Sequence, residues 1–135
     1  MFEFVPCFRI LALNAALSVM VGVLAWRRRR RSGGACLTRM MGALAFWQGV
    51  AALESASVPL GAKLFWSTLE YAGSGATAVF LVLFARNYAG IGRPIRLSRG
   101  LLLWLFPIVG VTLAATNEWH GQIWTAVSPG PPGSN

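Results

Sequence analysis

Four long apolar runs, cut apart by arginine-rich or Pro/Gly-rich breaks, constrain this chain more than any other feature. They cover about residues 8–26, 40–57, 64–86 and 100–116. A helix crossing the hydrocarbon core needs ~20 residues, in a range of about 17 to 25. The first and fourth runs are short by that measure and draw on flanking Phe8 and Trp119. Composition agrees: 56% of the 135 residues are hydrophobic and 12% are charged, against roughly 25% charged in a soluble domain. A small globule has too little interior for such an apolar surplus. Collagen, disordered-tail, zinc-finger and disulfide-scaffold classes are excluded on the same grounds. The expected fold is all-α: an integral membrane bundle of four transmembrane helices, with both termini outside. Residues 1–127 form the domain, and 128–135 form a Pro/Gly-rich tail with no apolar face to bury, expected to be disordered unless a partner holds it.

Charge placement sets the orientation. The net charge is +8, from 12 basic and 4 acidic residues. Arg27 to Arg31 and Arg39 lie between the first two runs, and Arg86, Arg93, Arg96 and Arg99 between the last two. Only Arg9 and Lys63 lie at the other side. The positive-inside rule puts the two arginine-rich connections in the cytoplasm and both termini in the periplasm of a bacterial inner membrane. The first run has no basic segment before it, so it reads as a reverse signal anchor and not as a cleavable signal peptide. Basic residues gathered between apolar runs report topology, so no nucleic-acid partner is expected. Arg27, Arg28, Arg29, Arg30 and Arg31 are expected to meet anionic lipids. Cys7 and Cys36 fall on opposite sides of the bilayer and cannot pair.

Polar residues inside apolar runs are the candidates for function, because charge is costly there. Glu54 lies near the outer end of the second run and Glu70 about two turns into the third. Lys63, Ser67, Glu70, Ser74 and Thr77 are spaced 4, 3, 4 and 3 apart, so all five share one helix face, which must meet protein or water. Asn14, Ser18 and Gly22 form a small, polar seam on the first helix, suited to close approach. Trp47, Ala51 and Glu54 offer a matching surface on the second. Pro107 should kink the fourth and free the carbonyl of Leu103. These residues either hold the bundle together or form an outward-facing polar pocket of Arg9, Glu54, Lys63, Glu70 and the residues near His120.

Catalysis finds little support, and no enzyme is expected. The chain has no aspartate and one histidine, which excludes a Ser-His-Asp set and a histidine-rich zinc site. No cofactor or metal is expected. His120 stands between Trp119 and Trp124, residue types that gather at membrane interfaces. A pigment or haem contact at His120 would require a partner complex.

The segment Lys63-Leu-Phe-Trp-Ser-Thr-Leu-Glu70-Tyr71-Ala-Gly73 resembles the third helix of the bacterial seven-helix membrane sensor region found in histidine kinases and diguanylate cyclases. Arg86-Asn87-Tyr88-Ala-Gly90 resembles the end of that helix, and the stretch from Phe106-Pro107 through Asn117-Glu118-Trp119-His120 to Thr125 its fourth helix and following loop. The edge from Trp26 through Arg31 also fits, so the resemblance covers about residues 8–127. It implies the first four helices of that region. In the family, three more helices and a kinase or cyclase follow. No phosphoacceptor, ATP-binding or cyclase motif occurs in this sequence, so signalling by this chain alone is not expected.

The leading expectation is a non-catalytic accessory or scaffold subunit of a larger membrane complex, derived from a sensor-type module. Its partners would be other membrane subunits, and an energy-transducing complex, respiratory or photosynthetic, is one candidate host. A truncated sensor working through a separate kinase is the alternative, with Glu54, Lys63, Glu70 and His120 as its residues. A small transporter component is a third.

Overall fold

A computed structural model describes residues 4–30, 33–57, 59–91, 97–121 and 123. It contains four long helices, α1 (Phe4–Arg27), α2 (Gly34–Ala56), α3 (Leu60–Tyr88) and α4 (Leu97–Ala115), then a single turn, α5 (Asn117–His120). No strand occurs among the described residues. The tail 128–135, Trp124, Arg31, Arg93 and Arg96 lie outside them.

The helix ends follow local backbone chemistry more closely than hydropathy. After α1, Arg28 and Arg29 donate their N–H groups to the carbonyls of Ala25 and Trp26 at 3.0 and 3.1 Å. Gly33 then takes φ +84°, open to glycine at little steric cost, and its carbonyl accepts the Leu37 N–H at 2.9 Å. α2 therefore starts at Gly34, well before the apolar run near Met40. Between α2 and α3, Ser57 N–H donates to the Glu54 carbonyl, and Pro59 caps α3 by accepting from Lys63 N–H at 3.1 Å. α3 ends in a Schellman motif: Gly90 sits at φ +66°, while Ile91 N–H reaches the Arg86 carbonyl and Gly90 N–H that of Asn87.

The burial pattern is that of a membrane protein. The interior consists of small residues, with Ala25, Val50, Ala52, Val79 and Ala114 as its buried hydrophobes, and no large side chain is fully buried among the described residues. Phe106 is 77% exposed, Leu102 68% and Leu13 65%. An apolar exterior of this extent suits hydrocarbon, not water. Phe8–Arg27 and Leu60–Tyr88 are long and apolar enough to cross a membrane, and Gly100–Ala115 is a shorter apolar helix.

The helices form an open row instead of a closed bundle. α1 packs on α2, α2 on α3, α3 on α4, and α5 on the end of α4. Among the described residues no backbone contact joins α1 to α3 or α4, or α2 to α4. Glycines at the crossings explain the arrangement. A Cβ on Gly22 would meet Met41 Cβ at 3.3 Å, and one on Gly73 would meet Trp47 Cα at 2.9 Å. A Cβ on Gly75 would stand 3.0 Å from Pro107 Cα. Two positions apart on a helix means about 200° around its axis. Gly73 and Gly75 therefore send α2 and α4 to opposite sides of α3. Met41 and Trp47, six positions apart, place α1 and α3 about 120° apart around α2, which leaves a groove between them. α4 continues through Pro107, a buried residue packed against Gly75.

Candidate functional site

The close approach of Gly73 to Trp47 decides what the outer half of α2 and α3 can present to each other. With no side chain at Gly73, the two backbones touch at Trp47. One turn or two farther along, the antiparallel helices bring the side chains of Glu54, Glu70 and Trp47 close to one another. All three side chains are half-buried.

The rest of the α3 stripe stays with this face. Lys63, Ser67, Ser74 and Thr77 are each half-buried. Lys63 is engaged with a partner. Thr77 donates its hydroxyl to the Gly73 carbonyl at 2.8 Å, and Ser74 to that of Tyr71 at 3.3 Å. Thr68, Thr112 and Thr116 do the same to carbonyls four residues back. Such internal bonds satisfy hydroxyls where no water is at hand, so these groups need no ligand to account for them.

Other candidate residues are spread over the row. Ser18 is buried and donates to the Asn14 carbonyl at 2.9 Å, with Gln48 Oε1 at 3.0 Å across α2. Gly22 lies against Met41, so Ser18 and Gly22 form the seam, whereas the Asn14 side chain is exposed. Gln48, the cross-helix partner, shows in the sequence as an amide inside an apolar run. Arg9 is exposed on α1, which packs on α2 alone. His120 meets Thr116 Oγ1 at 3.1 Å on α5, which packs on α4. The polar pocket expected from Arg9, Glu54, Lys63, Glu70 and His120 thus does not gather at one place: Glu54 and Glu70 meet, while Arg9 and His120 sit on helices at opposite ends of the row.

At the arginine-rich end the Cys36 thiol is free and accepts from Asn87 Nδ2 at 3.5 Å, tying the start of α2 to the end of α3. Trp119 is 87% exposed beyond α4, as interfacial tryptophans often are. No group of three His, Cys, Asp or Glu that could hold a metal ion stands together among the described residues.

Comparison with known proteins agrees with a helical, membrane-bound chain. The family described as the N-terminal 7TM region of histidine kinase matches residues 10–134. Neither the curated proteins nor the solved structures yield a match. A region of this type is a non-catalytic, membrane-bound input module. Resemblance in the third helix, the fourth helix and the arginine edge, together with a match over nearly the full length, leads to one conclusion: the chain belongs to the N-terminal 7TM region of histidine kinase family.

Proposed function

We propose that this chain is a non-catalytic, sensor-derived membrane module that works as an accessory or scaffold unit within a larger membrane assembly. In this reading all four long helices span the bacterial inner membrane, with the arginine-rich connections cytoplasmic and both termini periplasmic. The observation that carries it is the open row: among the described residues, α1 and α4 each pack on one long helix only. Among the described residues four long helices stand, and the family description counts seven. Further helices, from a longer polypeptide or from separate subunits, would complete the packing along the two free edges. The native mass of the tagged protein, extracted in a mild detergent with its co-purifying chains identified, tests this. A fixed assembly of several different chains supports the proposal, and a lone monomer overturns it.

The Glu54–Glu70–Trp47 contact favours a second reading, a sensor whose input is a proton or a small cationic ligand taken up in the outer half of the membrane. Here Trp47 emission, isolated by difference against Trp47→Phe, should change with pH in the wild type and stay flat in Glu70→Gln. A response that persists in Glu70→Gln removes the carboxyl pair from the mechanism. In the accessory reading the same substitution alters assembly yield only.

A further inference from the structure

The bend of the row at α2 leaves a cavity of about 440 Å³ at the arginine-rich end, open on one side and walled by α1 and α3 over a floor of α2. Val21 and Leu24 line it from α1, Leu37 from α2, and Phe84 and Tyr88 from α3, with Arg28 at its mouth. Its walls are held in place. The Phe84 ring lies where a Cβ on Gly33 would meet it at 3.3 Å, and Phe84 stacks on Tyr88 with centroids 5.9 Å apart. The neighbouring Arg29 is already seated over the Trp26 ring at 4.3 Å, which leaves Arg28 as the cation turned to the groove. At roughly 30 Å³ per water- or methylene-sized unit, the cavity has space for about fifteen such units.

Two properties together select an occupant. The groove is apolar along its length, so water gains nothing there. Its mouth carries positive charge: Arg27 to Arg30 and Arg39 are close by in sequence, and among the described residues Glu54 and Glu70 lie in the other half of α2 and α3. A membrane phospholipid with an anionic headgroup meets both demands, and an arginine fork suits its phosphate. We propose that the groove between α1 and α3 is a binding site for one anionic phospholipid, with an acyl chain along Leu24, Leu37 and Phe84 and the headgroup phosphate on Arg28. The site is independent of whatever the outer-half carboxyl pair does.

The test is native mass spectrometry of the full chain, released from vesicles of phosphatidylcholine containing phosphatidylglycerol as the minor component. The wild type should retain one phosphatidylglycerol in preference to phosphatidylcholine. Arg28→Gln should lower that preference about fivefold, the effect of one surface charge, while Arg30→Gln, on an exposed residue outside the groove, should change it less. Leu37→Trp, which puts an indole across the floor assigned to the acyl chain, should lower retention of the lipid whatever its headgroup. Equal losses in Arg28→Gln and Arg30→Gln would mean a diffuse charge effect and overturn the site. So would undiminished retention of lipid by a Leu37→Trp protein of unchanged helix content, or displacement of the lipid by inorganic phosphate alone. If Leu37→Trp does not fold, the comparison of the two arginine variants, both surface changes, decides the question.

Discussion

Gly73 and Gly75 sit two positions apart and do opposite things. One admits the Trp47 backbone and the other Pro107, so each marks a crossing at which a methyl group has nowhere to go. Overpacking a tight contact costs about 1–3 kcal/mol. Gly73→Ala is expected to lose stability in that range, measured by denaturant titration in micelles. Gly42→Ala and Gly49→Ala should be neutral or slightly stabilising, because nothing stands within 4 Å of either added Cβ and alanine is the better helix former. A second residue-scale expectation concerns Ser18, whose hydroxyl faces Gln48 across the α1–α2 seam. Ser18→Ala should cost about 0.6 kcal/mol, the measured average for one interhelical hydrogen bond in a membrane protein. The glycines were visible in the sequence, but they differ only in what lies opposite them. A glycine facing backbone and a glycine facing lipid read identically in one dimension.

At the scale of elements, α4 depends on α3 for its place among the long helices. Its contacts include the Gly75–Pro107 crossing and the edge-to-face pair of Phe80 and Trp104, 5.7 Å between centroids. Gly75→Val should therefore release α4 and leave α1, α2 and α3 together. In a cysteine-free background, a flexible bis-maleimide cross-link between Phe80→Cys and Trp104→Cys should disappear in Gly75→Val, while one between Ser18→Cys and Gln48→Cys persists. Loss of both cross-links would show that the row folds as one unit and contradict this hierarchy. The helices themselves were legible as apolar runs bounded by arginines, glycines and proline. Their ends were less so. α2 gains its first turns from the Gly33 reversal and the hydrogen bond to Leu37, in a stretch that carries Thr38 and Arg39 and has no apolar signature.

For the whole molecule, the open row makes a direct geometric prediction. In a monomeric preparation, Asn14→Cys on α1 and Thr112→Cys on α4, both exposed positions, should form no intramolecular disulfide. A closed four-helix bundle places its first and last helices side by side and gives such a bridge somewhere along them. Finding one would replace the row with a ring of four and remove the free edges on which assembly with further helices rests. The candidate site divides in a similar way. The α3 stripe was readable from its spacing, since residues three and four apart share a face on any helix. The meeting of Glu70 with Glu54 and Trp47 was not, because it depends on how far α2 and α3 slide along each other.

By itself, the sequence determined an all-α chain with membrane-spanning character, the places where the helices break, and the family. Each of these follows from local composition: apolar length, charge between runs, and side chains held at helical spacing. Only the tertiary structure decided that the helices stand in a row, that two carboxyl groups face each other across α2 and α3, and that an apolar groove opens beside Arg28. Those outcomes rest on the direction in which each small residue points. Direction around a helix axis becomes a neighbour only when a second backbone comes close enough to fill the space.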